Sequence, residues 1–255
     1  MTKIIMSGCA GAMGRMITKL AGEDPEVEIV AGVDKVACRD IKYPIFESIQ
    51  DCDIEADAVV DFSRPDALSD ILNYCEERQL AAVLCTTGYT DEQLADIEAC
   101  AKHAPILRSA NMSLGINVLL KLIQDATRVL AGEGFDVEIV EKHHNQKVDA
   151  PSGTALALAD AVNDAADDAY HYVYDRESKR EKRDSKEIGI SSVRGGTIVG
   201  DHDVIFAGND EVITFSHRAY SKAVFGKGAL AAAKYLSGQT PGLYSMSDVI
   251  AAQTK

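Results

Sequence analysis

The sequence predicts an α/β protein: a doubly wound parallel sheet followed by a second domain of α+β type with a mixed sheet. Three observations predict it. Short apolar runs alternate with helix-spaced amphipathic segments from residue 3 to about residue 112; such alternation implies right-handed crossovers and parallel pairing. A glycine-rich turn, GCAGAMG at residues 8–14, joins the first strand to the first helix. Beyond residue 112 comes one long amphipathic segment, then alternating runs broken by glycine turns, as antiparallel or mixed strands require.

The elements follow in order. KIIM, residues 3–6, reads as a buried strand entering the glycine turn, and Met13, Met16, Ile17 and Leu20 then recur at helical spacing. VEIVAGVD, 27–34, is a second strand ending at Asp34, and ADAVVDFS, 56–63, a third ending at Asp61 and Ser63. PDALSDILNYCEERQL, 65–80, opens on a proline, which suits a first helical turn, and carries its apolar residues on one face. AAVLCTTG (81–88) is strand-like, TDEQLADIEACAKHA (90–104) helical and PILRSAN (105–111) strand-like. SLGINVLLKLIQDATRVLAG, 113–132, is a long amphipathic helix with Gly132 as its stop. FDVEIVEKHH (135–144) is a strand and GTALALADAVNDAA (153–166) a helix. DRESKREKRDSKE, 175–187, has no apolar face; a solvated loop is expected, with a flap over an anionic ligand as the alternative. The stretch 188–219 alternates apolar and polar residues and breaks at Gly195-Gly196 and Gly208-Asn209. AVFGKGALAAAKYLSG, 223–238, is an Ala-rich helix without a strand of its own nearby, so it is expected to cross back onto the first domain. The expected domains are therefore 1–112 plus 223–255, and 113–222.

Composition narrows the function. With 255 residues, 46% of them hydrophobic, the chain can build one large domain or two ordinary ones. No apolar run is long enough to cross a bilayer. The start, MTKIIMSGCAG, lacks the longer apolar core of a secretory signal, so a cytoplasmic protein is expected. A net charge of -14 argues against nucleic acid as a partner. It also repels acidic small molecules at long range, so an anionic ligand must meet a local group of cations. The six cysteines form no CxxC pair and lack metal-ligand spacing; reduced thiols, most of them small core residues, are expected, and no metal.

The turn GCAGAMGR has the spacing G-x-x-G-x-x-G at Gly8, Gly11 and Gly14. Between a strand and a helix, such glycines let the backbone approach a pyrophosphate, which the helix N-terminus then holds. That is a Rossmann-type dinucleotide site; an ordinary tight turn is the alternative. Asp34 ends the next strand about twenty residues beyond Gly14, where a carboxylate takes the adenosine ribose hydroxyls. Lys35 beside it is placed to accept a 2′-phosphate. The pair predicts NADH use with tolerance of NADPH; otherwise it is a surface ion pair. Thr86 and Thr87 in CTTG, and Asn111 in SANM, fall at carboxyl ends of parallel strands, where such sheets bind ligands. They suit a nicotinamide carboxamide, or equally helix caps, as Ser113 in particular does.

EKHHNQKVDAPSGTAL, 141–156, gathers His143, His144, Lys147 and a PSGT turn. Neighbouring strand residues face opposite sides, and a strand-end histidine often serves only as a structural hydrogen bonder. Yet an imidazole exchanges protons near neutral pH, a lysine four residues on adds positive charge, and a helix start offers amides to a carboxylate. Together they suit an acidic substrate that takes up a proton.

These motifs closely resemble the 4-hydroxy-tetrahydrodipicolinate (dihydrodipicolinate) reductase family. The resemblance spans nearly the whole chain: GCAGAMGR, DFSRPDA at 61–67, CTTGYT at 85–90, SANMSLGINV at 109–118, EKHHNQKVDAPSGTA, and VRGGTIVGDHDVIF at 193–206. It implies hydride transfer from NADH or NADPH to a cyclic conjugated imine bearing two carboxylates. It also implies a homotetramer built through the second domain, which binds substrate while the first binds dinucleotide. Carried over, it implies His143 as proton donor/acceptor and Lys147 as second proton donor, with His144, Gly153 and Thr154 on the substrate carboxylates. The cofactor site would comprise Gly8, Cys9, Ala10, Gly11, Ala12, Met13, Asp34, Lys35, Cys85, Thr86, Thr87, Ser109, Ala110, Asn111 and Met112. Two positions depart from the pattern: Cys85 stands where glycine is common, and Lys35 where arginine is. Rival readings are a two-domain dehydrogenase acting on another amino-acid-derived substrate, a nicotinamide-binding sensor without turnover, and a metal module built on the histidine pair.

Overall fold

The computed structural model describes residues 1–36, 38 and 40–253. In chain order the elements are β1 (Thr2–Ser7), α1 (Ala12–Ala21), β2 (Val27–Val33), β3 (Ile45–Phe46), β4 (Ala58–Asp61), α2 (Leu68–Arg78), β5 (Ala81–Leu84), α3 (Asp91–Cys100) and β6 (Pro105–Arg108). There follow α4 (Leu114–Leu130), β7 (Asp136–His143), α5 (Gly153–Ala165), β8 (His171–Val173), β9 (Glu187–Arg194), β10 (Gly200–Ala207), β11 (Val212–Ala219), α6 (Ala223–Leu236), β12 (Gly242–Tyr244) and α7 (Met246–Gln253). The chain divides into two compact units, Met1–Leu114 with Lys222–Lys255, and Gly115–Ser221. The expected first domain runs to residue 255, whose last two positions lie outside the described residues.

The first unit is built on a seven-stranded sheet of order β12-β6-β5-β4-β1-β2-β3 with every pair parallel. Strand order reverses at β1 and β4, so the switch point of this doubly wound sheet lies beside the glycine turn. Alternation along each strand fills two cores. Ile4, Met6, Ala58, Val60 and Val83 pack with Ile17 of α1 and with Ala229, Ala232, Ala233 and Leu236 of α6. Ile5, Val59, Ala82 and Leu84 pack with Ile71 and Cys75 of α2 and Ile97 of α3. Burial on both faces explains why these strands read as continuous apolar runs. The three-residue β12 pairs with β6 (Leu243↔Ile106) and is too short to carry a periodic signal.

The second unit has a five-stranded mixed sheet, β11-β10-β7-β9-β8, in which β7 runs antiparallel to β10 and parallel to β9. Val137, Ile139, Ile188, Ile190, Val204 and Phe206 pack under Leu119 and Ile123 of α4 and Leu158 and Val162 of α5. Two local expectations are corrected. α4 stops at Leu130, and the left-handed glycine of the turn that follows is Gly134, not Gly132. The charge-rich segment 175–187 is not merely a solvated loop. Arg183 donates to Asp136 (2.7 Å), Glu138 (2.8 Å) and the carbonyls of Val137 (2.9 Å) and Glu187 (2.6 Å). Buried Glu187 is paired with Arg176 and Lys179. The segment is tied to the sheet through charges whose partners lie elsewhere in the chain, which a local apolar pattern cannot register.

Candidate active site

The loops that carry the first set of site residues line the carboxyl edge of the parallel sheet, each held by a neighbouring strand. Gly8 N donates to Val33 O (2.9 Å), Phe62 N to Ser7 O (3.1 Å), Cys85 N to Asp61 O (2.9 Å) and Ser109 N to Leu84 O (3.2 Å). Gly8 has φ 79°, and a Cβ there would sit 2.6 Å from Phe62 O; a Cβ on Gly14 would sit 2.3 Å from Gly8 O. Only glycine fits at these two positions. α1 opens at Ala12 behind Gly11, with no side-chain cap and no acidic residue in its first turn. Its first amides and positive end are therefore available to an anion, with no acid of the helix itself to compete. A cleft of about 420 Å³ beside it is lined by Gly8, Gly11, Asp34, Lys35, Ser63 and Arg64 among others. A larger cleft, about 540 Å³, lies at the opposite edge beside Lys3, Asp57 and Leu80, and has neither a glycine turn nor a helix start.

Asp34 accepts hydrogen bonds from Ala10 N (2.9 Å) and Val36 N (3.0 Å), so it braces the turn while its remaining lone pairs stay available. Lys35 is exposed beside it, and Cys9 and Met112 are buried while Ala10 and Met13 are partly so. Burial, with Asp34 and Cys38 nearby, pushes the Cys9 thiol up to about 11; burial likewise raises Cys85, so both are neutral thiols. Asp61 was visible in the sequence only as a strand end. It is 1% exposed and accepts from Ser63 N (3.1 Å), Ser63 Oγ (2.5 Å) and Thr86 Oγ1 (2.7 Å). The Thr86 hydroxyl hydrogen is thus committed to Asp61, which ties the loop after β4 to the loop after β5. Thr87 is exposed, as are Gly11, Ala12 and Ala110. Ser109 Oγ donates to Asn111 O (2.8 Å), and Asn111 Oδ1 accepts from Ser113 N (2.9 Å), shaping the entry to α4. The glycine cradle, the uncapped helix start and the carboxylate beside them fit a dinucleotide.

In the second unit, alternation along β7 turns Val137, Ile139, Glu141 and His143 to the buried side. Register places His202 of β10 and Ser192 of β9 across from Glu141, and Arg194 across from His143. Glu141 is fully buried, and four nitrogens reach its carboxylate besides the Ser192 hydroxyl. Arg194 binds it in a fork, Nη1 to Oε2 (2.8 Å) and Nη2 to Oε1 (2.7 Å). Ser152 N reaches Oε1 (3.1 Å), and His143 Nδ1 lies 2.6 Å from Oε2. Burial alone would raise this carboxyl, but the bonds from Arg194, His143 and Ser192 prevail and hold it at about 2. His143 is 8% exposed, and its ring meets that of His202 edge-on with centroids 5.2 Å apart. His202 Nε2 lies 3.0 Å from Ser152 Oγ; burial, and next the neighbouring His143, press its pKa down to about 4. Among the described residues, Arg194 Nε and His202 Nδ1 are buried without a partner.

His144 follows the last residue of β7 and is half-buried. Lys147 Nζ is held by both oxygens of Asp149 at 2.8 Å, and Arg194 Nη2 fixes that loop through Asp149 O (2.6 Å). Ser152 caps α5 by accepting from Ala155 N (3.1 Å). Gly153 and Thr154 form the first turn, which holds no acidic residue, and a Cβ on Gly153 would meet nothing within 4 Å. Such a site can move a proton through an imidazole and hold anions on a helix start and an ammonium. No group of three metal-ligating side chains occurs among the described residues. Sequence reading assigned no role to Glu141, Arg194 or His202; they lie within recognised motifs, but only sheet register brings them together.

Residues 2–112 match the family model for the N-terminus of dihydrodipicolinate reductase, and residues 115–250 that for its C-terminus. Proteins named 4-hydroxy-tetrahydrodipicolinate reductase from Caldanaerobacter subterraneus subsp. tengcongensis and Clostridium novyi are 53% and 50% identical over 250 residues, 98% of this chain and 98% of each relative. A dipicolinate-bound dihydrodipicolinate reductase from Paenisporosarcina sp. TG-14 shares the fold with a TM-score of 0.82 at 24% identity, covering 96% of this chain and 97% of that one.

Proposed function

This chain belongs to the dihydrodipicolinate reductase family, and on that premise we propose that it is a 4-hydroxy-tetrahydrodipicolinate reductase. It reduces a cyclic dicarboxylate imine to tetrahydrodipicolinate with NADH or NADPH, in diaminopimelate and lysine biosynthesis. The observation that carries the reading is His143: a nearly buried imidazole with one nitrogen on a carboxylate, in the same segment as Lys147 and an anion-ready helix start.

NADH or NADPH, when bound, supplies the hydride. The turn Gly8–Met13 and the amides of α1 hold the pyrophosphate, and Asp34 takes the ribose hydroxyls. Lys35 accepts a 2′-phosphate where one is present, so NADH is used and NADPH tolerated. Cys85, Thr86 and Thr87 serve the nicotinamide end together with Ser109, Ala110, Asn111 and Met112, Cys85 through its backbone. His144, Gly153 and Thr154 bind the substrate carboxylates, drawing on the positive end of α5. As hydride adds to the conjugated ring, negative charge grows on a ring atom. The balancing proton is relayed through His143 and Lys147, the second proton donor, whose positive charge lowers the energy of the growing negative charge more in the transition state than before it. The enzyme works in the cytoplasm as a homotetramer assembled through the second unit.

The test is a reductase assay on the purified protein with enzymatically generated 4-hydroxy-tetrahydrodipicolinate, run separately with NADH and NADPH. Substrate-dependent oxidation of both, faster with NADH, is expected. Binding of NADH without turnover would refute the proposal and favour a sensor.

A further inference from the structure

We propose that Glu141 is a positioning residue for proton transfer: clamped by Arg194 and Ser152 N, it holds His143 in the tautomer protonated at Nδ1, so that Nε2 exchanges protons with the substrate. The inference rests on the reductase reading and adds the atom through which the proton passes. Both Glu141 oxygens lie against guanidinium N–H groups, and Oε1 also receives Ser152 N. A carboxyl so surrounded is ionised, and an ionised carboxylate only accepts. His143 Nδ1, 2.6 Å from Oε2, must therefore donate. Neutral His143 then bears its free lone pair on Nε2. On that side β10 presents Gly200; a Cβ there would stand 3.1 Å from Nε2, so its absence keeps the nitrogen uncrowded. The adjacent His202 is engaged elsewhere, with its Nε2 on Ser152 Oγ.

Replacing Glu141 by glutamine reverses the donor and acceptor at His143 Nδ1. Arg194 Nη2 and Ser152 N both donate at the Oε1 position, against Arg194 Nη1 alone at Oε2, so the orientation with fewer opposed donors puts the amide oxygen at Oε1 and turns the amide NH2 toward His143. Nδ1 then becomes the acceptor and the proton moves to Nε2, the wrong tautomer for the reaction. The same logic governs the aspartate of serine-protease triads. The experiment labels the protein with ¹⁵N and reads the His143 tautomer by two-bond ¹H–¹⁵N correlation without substrate, at a pH raised until the spectrum is that of a neutral imidazole. Steady-state kinetics with NADH run alongside.

The native protein should show Nδ1–H. E141Q should show Nε2–H, with kcat lower by roughly 100-fold and the KM for NADH within about twofold. E141D, which restores an acceptor, should return the Nδ1–H form and part of kcat. Nε2–H in the native protein overturns the proposal, as does inversion in E141Q without loss of kcat. If E141Q does not fold, the native spectrum decides. An Nδ1–H spectrum from a protein without reductase activity would sink the reductase reading and leave the tautomer assignment standing.

Discussion

Gly228 lies inside α6, where alanine would ordinarily strengthen a helix by about 1 kcal/mol. Here the structure predicts the opposite. A Cβ on Gly228 would fall 1.6 Å from Met112 O and 2.7 Å from Met112 C, and ordinary contact begins at 3.4 Å. Both clashing atoms are backbone, so no side chain can swing aside. Ala229, Ala232, Ala233 and Leu236 are all fully buried, so α6 cannot slide away without opening the core. Forcing extra atoms into a packed interior costs about 1–3 kcal/mol and sometimes more. An overlap this deep belongs at the upper end, which makes about 3 kcal/mol the expected loss. For a protein of this size that lowers Tm by roughly 6–12 °C. Because Met112 O ends the Ser109–Met112 loop, the KM for NADH should rise as well. Circular-dichroism melts of G228A, with G238A as control, test this; a Cβ on Gly238 meets nothing within 4 Å. A G228A melt at or above that of the native protein would show that this close approach does not exist.

His143→Gln should lower kcat by roughly 100-fold and leave the KM for NADH nearly unchanged; a large KM change at native kcat would move His143 out of the proton-transfer role. Asp34→Ala should weaken NADH by about 10-fold and NADPH less, since Lys35 remains for the 2′-phosphate; equal losses for both cofactors would count against Asp34 as the ribose ligand. His202 is held at about 4, below its ordinary 6.5, so the unfolded chain binds more protons between those values and stability falls as pH drops through that window, by about 3 kcal/mol. Glu141, held at about 2 against 4.5, extends the loss: its contribution is complete above pH 4.5 and gone below about 2. Urea unfolding between pH 7 and pH 4 should show the His202 decline, and His202→Gln should flatten it; a slope unchanged in that variant would remove His202 as its cause.

The sequence by itself determined what depends on neighbours along the chain. Apolar runs alternating with helix-spaced segments made the doubly wound sheet legible, because strands buried on both faces cannot hide their composition. The glycine turn with Asp34 beyond it was legible because a pyrophosphate needs bare backbone at fixed spacing. The pair His143 and Lys147, with the PSGT helix start, was legible because all of it lies within one short segment. What only the tertiary structure decided depends on residues far apart. Arg194 stands 53 positions from Glu141 and meets it through the pairing of β7 with β9. Asp61 receives Thr86 because β4 and β5 pair in parallel. Arg183 ties an otherwise solvated charged loop to the sheet because Asp136 and Glu138 lie within its reach. Periodicity reports which face of an element is apolar. It carries no information on which buried charge will find which partner, because sheet register sets that, and register is fixed by the packing of the whole unit.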